Sequence, residues 1–384
     1  MIKRIAQEKV LQLASQFKAV AIMGPRQSGK TTLSRMCFPR KPYVSLENPA
    51  NRAFANEDPI GFLAAYPDGA ILDEIQRVPQ LLSWLQQRLD EETRKGTFIL
   101  TGSNNLMLME NISQSLAGRV AYIDLLPFSI EEIAFLPQTP ESLNAHMFHG
   151  GYPSILADRI APQDWFPAYV RTYVERDMRQ VKNISNLLAF EKLLSLCAGR
   201  VGQLVNYSNL SNEVGMDYNT IKSWLGVLQA GYIIHLLPPY FNSFNKRVTK
   251  SPKLYFYDTG LLCYLLRINS PEDLIQHPYR GEIFENFVVK ELLKHRFNQG
   301  KQSNFYFWRD QSQREIDVVV DEGQKLLAIE IKSGQTPQAS FWKNIKFWQE
   351  LTGQPGGIVY YGGDANQTRS DGRVLKSWKE LPLL

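Results

Sequence analysis

Between a short apolar run, Ala19–Met23, and a helix-like stretch, Thr31–Met36, the chain reads Gly24-Pro-Arg-Gln-Ser-Gly-Lys-Thr31. The spacing G-x-x-x-x-G-K-[ST], set between a strand and a helix, predicts a phosphate-binding loop. Such a loop needs glycine where the backbone must wrap the phosphates with its N–H groups turned inward, and the helix behind it adds its positive end. Gly24, Pro25, Arg26, Gln27, Ser28, Gly29 and Thr32 would line the phosphates, Lys30 would reach the β and γ groups, and Thr31 would ligate Mg²⁺. A glycine-containing strand–helix turn without a ligand is the alternative, and the complete pattern in its proper setting outweighs it.

A phosphate-binding loop alone does not separate a kinase from an ATPase. The run Ala70-Ile-Leu-Asp-Glu74 is an apolar strand ending in two adjacent carboxylates. Asp73 is suited to holding Mg²⁺ and Glu74 to polarising an attacking water, which disfavours a small-molecule kinase. A third strand end, Thr101-Gly-Ser-Asn104, offers Ser103 or Asn104 to the γ-phosphate, and the sequence does not choose between them. After a helix-like stretch, Asn111–Ala117, Arg119 precedes the strand Val120–Leu125. It is either an arginine finger for a neighbouring subunit or a charge at a helix C-terminus.

These residues, with GPRQSGKTTL (24–33), LDEIQRVPQLL (72–82), ILTGSNNLMLMENISQSLAGRV (99–120), LLPFSIEE (125–132), GGYP (150–153) and YVERDMRQV (173–181), resemble a prokaryotic AAA+-type P-loop ATPase family. In that family the ATPase is fused to a C-terminal domain of unknown function. The resemblance implies nucleotide and catalytic roles for Lys30, Thr31, Asp73 and Glu74. It strengthens Arg119 as a finger and adds Arg176 as a second sensor, although an Arg176–Asp177 pair on a solvated helix explains the latter equally well.

The rest of the chain changes pattern rather than repeating. Five short apolar runs alternate with helical stretches up to Asp124, as in a parallel α/β sheet. Residues 165–199 then read as helical. Residues 200–265 read as a winged helix, with one short helix after Asn206 that Ser208 is placed to cap, a turn at Gly215, and a second helix capped by Asp217. Asn219, Thr220, Lys222 and Ser223 on that second helix would face a DNA groove, and Lys246, Arg247 and Lys250 in the hairpin tip would face phosphates. Packing between domains is the competing use. Farther on, Glu285 lies on a helix, Asp317 in one strand, and Glu330 and Lys332 two apart in the next, hence on one face. That order resembles a restriction-endonuclease-like core, with Ile316 where a proline is usual. It implies a site for one or two Mg²⁺ or Mn²⁺ ions and leaves cleavage open, since the fold also serves as a non-cutting module. His146 and His149 have metal-like spacing but lack a third ligand nearby. Phe341, Trp342, Phe347 and Trp348 read as a packing face.

The expected architecture is therefore α/β throughout: an AAA+-like P-loop core over 1–159, a helical lid over 160–199, a winged helix over 200–269 and a restriction-endonuclease-like domain over 270–384. Composition narrows the function. Lys and Arg number 43 against 38 Asp and Glu, a net +5, too little to argue for nucleic acid by itself. Residues 200–265 nevertheless carry six basic and three acidic side chains, a local excess on the stretch assigned to DNA contact. No apolar run approaches the ~20 residues that span a bilayer, no signal sequence is expected at the N-terminus, and three scattered cysteines suit a reducing cytoplasm. The expectation is a cytoplasmic, Mg²⁺-dependent ATPase with ATP as its only small-molecule substrate. It would form a homo-oligomer, plausibly a ring, and act on duplex or branched DNA. The competing expectation is a nucleotide-controlled switch that oligomerises and signals to a protein partner.

Overall fold

A computed structural model describes residues 2–103, 116–177, 184, 186–240 and 250–382, with the side chains of 174–177 excepted. Asn104, Lys246, Arg247, the Arg176 side chain and most of the stretch expected to be helical at Asn111–Ala117 lie outside the described residues. The chain forms two compact units. The first comprises Met1–Phe135 with Ala230–Tyr232 and Lys294–Gln302, and the second comprises Leu136–Gln229, Ile233–Leu293 and Ser303–Leu384.

In the first unit, β1 (Ala19–Met23), β2 (Tyr43–Ser45), β3 (Ile71–Asp73), β4 (Phe98–Gly102) and β5 (Val120–Asp124) build a parallel sheet in the order β2-β3-β4-β1-β5. Every residue of β1 is buried, as expected of a strand without charges that is covered on both faces. Val20 and Ile22 pack with Ile99, Ile123 and Leu33, and Val10 and Leu13 of the amphipathic helix Ala6–Gln16 close the same core. The insertion of β4 between β1 and β3 has a functional consequence. The carboxyl ends of β1, β4 and β3 lie side by side, and in open parallel sheets that edge is where ligands bind.

In the second unit, the stretch expected to be helical over 165–199 is a helix Pro162–Tyr169, a π-helix Val170–Asp177 and a further helix Leu187–Ala198. Helices Tyr207–Val214 and Tyr218–Ala230 follow, then the antiparallel pair β6 (Ile234–Leu237) and β7 (Lys253–Phe256). The first of these two helices is capped by Asn206, whose side chain accepts from Asn209 N at 3.0 Å. Ser208 already lies inside the helix, so its expected capping role is corrected. Asp217 does cap the second helix, accepting from Asn219 N at 2.9 Å and Thr220 N at 3.0 Å.

A long helix, Arg280–Asn298, precedes a mixed sheet of β8 (Phe305–Arg309), β9 (Glu315–Asp321), β10 (Leu326–Lys332), β11 (Gly357–Tyr361), β12 (Gln367–Thr368) and β13 (Arg373–Ser377), in the order β12-β13-β11-β10-β9-β8. Strands β8, β9 and β10 run antiparallel, whereas β11 joins β10 in parallel after the helix Lys343–Thr352. Phe341, Trp342 and Trp348 are buried beside Trp308 and Ile345, with Phe347 packed against them, so this aromatic stretch is a packing face.

Candidate functional site

The loop after β1 has the backbone that its glycines allow. Gly24 sits at φ +149°, and a Cβ there would lie 2.2 Å from the Leu125 carbonyl oxygen. Gly29, at φ +93°, opens the helix Lys30–Cys37. Gln27 also adopts a left-handed conformation, φ 60°, which costs a non-glycine residue about 1–2 kcal/mol and persists only where the surroundings impose it. Inside the loop, Ser28 Oγ is buried with no hydrogen-bond partner among the described residues. The Lys30 ammonium donates to the carbonyls of Gly24 (3.0 Å) and Pro25 (2.7 Å) at the loop mouth. Burial lowers its pKa to about 8, while Glu74 and Asp73 pull the other way. Arg26 is tied to Glu47 at 2.8 Å, and Arg77 approaches the same carboxylate at 3.5 Å.

The strand order brings the two carboxylates to this loop. Asp73, at the end of β3, accepts from Thr31 Oγ1 at 2.9 Å, from Tyr43 OH at 2.7 Å and from Thr101 Oγ1. Glu74 follows in a left-handed conformation, φ 58°, which turns its side chain away from the strand register. Its carboxylate accepts from Ser103 Oγ at 3.1 Å and from Gln76, and Gln76 Nε2 also donates to Ser103 Oγ at 3.0 Å. The Thr101 hydroxyl further accepts the Glu74 N–H at 3.2 Å. Thr31, Asp73, Glu74 and Ser103 thus stand together. Thr101, Tyr43 and Gln76 join them without having been singled out in the sequence. The signal for Thr101 was its place in a strand-end polar run; Tyr43 carries no local signal, because only the β2–β3 pairing brings it near Asp73.

Beneath the loop lies a further pair the sequence did not flag. The Arg4 guanidinium is 4% exposed and Glu132 fully buried, with Nε to Oε1 at 2.9 Å. Arg4 also donates to the carbonyl oxygens of Ser28 and Leu126, both at 2.7 Å. Glu132 accepts the backbone N–H groups of Ile5 (2.8 Å) and Ser129 (3.0 Å).

Residues 16–134 match the AAA domain family. That stretch is similar to the AAA domain, and the match supports ATP binding and hydrolysis. Residues 140–272 and 280–381 match two domains of unknown function, DUF8612 and DUF4143. An uncharacterized protein of Mycobacterium tuberculosis is 29% identical over 342 residues, covering 88% of this chain and 75% of the relative. One of Haemophilus influenzae is 21% identical over 248 residues, covering 61% and 58%. Among solved structures, a Walker-type ATPase of Pyrococcus abyssi covers 70% of this chain and 96% of its own at 15% identity and a TM-score of 0.47. Among the described residues no helix is long and apolar enough to cross a membrane.

The other sequence candidates fall as follows. Arg119 forms a two-pronged pair with Asp90, at 2.5 and 3.0 Å. Asn219, Lys222 and Lys250 are exposed, and the Thr220 hydroxyl is turned onto Asp217 at 2.5 Å. His149 Nδ1 meets the Ala145 carbonyl oxygen at 2.8 Å, and His146 lies against Trp378. In the second unit, Lys332 Nζ sits 2.7 Å from Glu330 Oε2 and 3.7 Å from Asp317 Oδ2, while Asp317 accepts from Ile331 N at 2.7 Å. Glu285 instead engages Lys253 (2.9 Å) and Tyr255 OH (2.5 Å). Among the described residues, no group of three or more His, Cys, Asp or Glu side chains is placed to hold a metal ion. The residues expected to hold a C-terminal Mg²⁺ or Mn²⁺, Glu285, Asp317 and Glu330, are instead engaged by Lys253, Tyr255, Lys332 and a backbone N–H.

Proposed function

We propose that the chain is an ATPase of the AAA type whose turnover drives work on DNA. The observation that carries the ATPase part is the joining of Thr31 to Asp73, and of Glu74 to Ser103, behind a complete phosphate-binding loop. Lys30 would leave its two carbonyl partners for the β and γ phosphates. Thr31 and Asp73 would hold Mg²⁺. Two protein donors suffice, because Mg²⁺ in such sites keeps waters and takes phosphate oxygens. The metal, when bound, neutralises charge between the β and γ groups. Glu74 would orient and deprotonate the attacking water, and Ser103, hydrogen-bonded to Glu74, would report the γ-phosphate to it. Arg119 would exchange Asp90 for a neighbour's γ-phosphate in a homo-oligomer.

The DNA part rests on residues 200–269 read as a winged helix, with Asn219 and Lys222 exposed on its second helix and Lys250 exposed beside the hairpin tip. The core over 1–159, the lid over 160–199 and a restriction-endonuclease-like module over 270–384 complete the domain reading. ATP turnover measured with single-stranded, duplex and branched DNA is expected to rise with at least one of them. Lys250→Ala is expected to weaken binding across all sequences and to flatten the salt dependence by about one phosphate contact. Turnover indifferent to every DNA, with ATP-dependent assembly intact, would instead select the protein-partner switch.

Lys30 makes a pH prediction. Phosphates bind the charged amine, and in the nucleotide-free protein the charged fraction falls as pH rises through about 8. ATP affinity is therefore expected to be level below that pH and to drop above it by up to about tenfold per unit, or 1.36 kcal/mol. Equilibrium nucleotide titrations between pH 6.5 and 9.5 would measure it, and an affinity flat across that range overturns it.

A further inference from the structure

The C-terminal carboxylates are crowded in a way that demands positive charge. Glu315 and Asp317 alternate onto one face of β9, and Glu330 stands on β10 one step beyond the Val318–Ile329 pair, which sets it opposite Asp317. Like charges directly opposite on paired strands repel. Glu285 approaches from the helix Arg280–Asn298. Glu330 is fully buried, and burial, then Asp317, pushes its pKa up to about 8. In a nucleic-acid-cutting site of this order, a divalent cation would gather these groups.

A side chain from outside that set already joins two of them. Lys253 starts β7 and is 2% exposed. Its ammonium lies 2.9 Å from Glu285 Oε1 and 2.5 Å from Glu315 Oε1, bridging helix and sheet. Tyr255, two residues on and therefore on the same face of β7, donates its hydroxyl to the same Glu285 oxygen at 2.5 Å. Burial opposes the ammonium, yet the Glu285, Asp317 and Glu315 carboxylates hold Lys253 well above its ordinary pKa, so it stays charged. Lys332 covers Glu330 and Asp317 from the other side, and Arg309 reaches Glu315 at 3.5 Å. Glu285 Oε1, Glu315 Oε1 and Glu330 Oε2 are thus engaged by ammonium or hydroxyl donors, and Asp317 Oδ2 by the Ile331 N–H.

We propose that Lys253 is the resident cation of this cluster, standing where a nuclease-like site would take a divalent metal, so that the wild-type module is metal-free and does not cut. The proposal does not depend on the nucleotide site, and it rests on the nuclease-like reading only for the identity of the cation displaced.

The test uses the full chain, stripped with EDTA and kept nucleotide-free. Mn²⁺ is titrated by electron paramagnetic resonance, and hydrogen exchange of the C-terminal sheet is recorded with and without Mn²⁺. The wild type is expected to show no Mn²⁺ site that Asp317→Asn removes. Lys253→Met is expected to gain one Mn²⁺ equivalent per chain, lost again in Lys253→Met/Asp317→Asn, whereas Lys253→Arg stays like the wild type. If Lys253→Met does not fold without metal, Mn²⁺ is expected to restore its folding. An Asp317-dependent Mn²⁺ site in the wild type overturns the proposal, and so does a Lys253→Met protein on which Mn²⁺ has no effect. Either outcome leaves ATP turnover, abolished by Lys30→Ala, as a separate measurement.

Discussion

Replacing Glu74 by glutamine is expected to lower ATP turnover by about 10²–10⁴-fold, the usual contribution of a positioned general base, while ATP still binds. Glutamine keeps the size of the side chain and can still pair with Ser103, whose hydroxyl lies 3.1 Å from Glu74 Oε2. It cannot take the proton of the attacking water. The phosphate-binding loop, Lys30 and the Thr31–Asp73 pair are untouched, so nucleotide affinity should hold within a few-fold. Lys30→Ala should behave differently, losing affinity and turnover together, because the amine binds the phosphates in the ground state and more strongly as charge shifts in the transition state. Single-turnover hydrolysis alongside equilibrium binding separates the two patterns. A Glu74→Gln protein that turns over at near the wild-type rate would remove Glu74 from the base role and move attention to its partners, Gln76 and Ser103.

How far this site was legible follows from how local its determinants are. The phosphate-binding loop is written in eight consecutive residues, because glycine and proline constraints act on neighbouring dihedrals. The Asp73–Glu74 pair is likewise visible at the end of an apolar run. Tyr43 is not, because its hydroxyl reaches Asp73 only once β2 pairs with β3. The same holds for the Arg4–Glu132 pair, 128 positions apart. Secondary structure follows this rule too. Strands built on apolar runs, such as Ala19–Met23 and the Val318–Val320 centre of Glu315–Asp321, were evident. Strand β13 was not, since its inward positions include Arg373 and Ser377 beside Leu375 and its pattern carries little hydrophobic contrast. Asn206 took the cap expected of Ser208 because both residue types cap well and the start of the helix was uncertain by two residues. Lys253 was legible as a basic residue on a strand. Its role was not, because its partners Glu285 and Glu315 come from a stretch assigned to another domain.

The Arg4–Glu132 pair predicts the largest stability effect. Both side chains are essentially excluded from water, so Arg4→Met leaves the Glu132 carboxylate without its guanidinium partner, held by the Ile5 and Ser129 backbone N–H groups. It also strips a donor from each of the Ser28 and Leu126 carbonyls. Removing one member of a buried, hydrogen-bonded ion pair typically costs about 3–5 kcal/mol, most of it the penalty on the charge left behind. Arg4→Met/Glu132→Gln should therefore recover much of the loss, since no uncompensated charge remains. The damage should also reach the nucleotide. In a trans peptide the C=O and the following N–H point in opposite directions, so pinning the Ser28 carbonyl outward onto Arg4 fixes the Gly29 N–H toward the interior of the loop. Without Arg4 that peptide is free to turn, and ATP affinity should fall even in the double variant. Hydrogen exchange is the suitable readout, because it reports β1 and the loop peptide by peptide in a chain of two compact units, where a single melting temperature is ill defined. Faster exchange confined to the Ala19–Lys30 and Leu125–Glu132 segments, with the C-terminal sheet unchanged, is the expected pattern. A double variant with wild-type ATP affinity would reduce Arg4 to a packing residue.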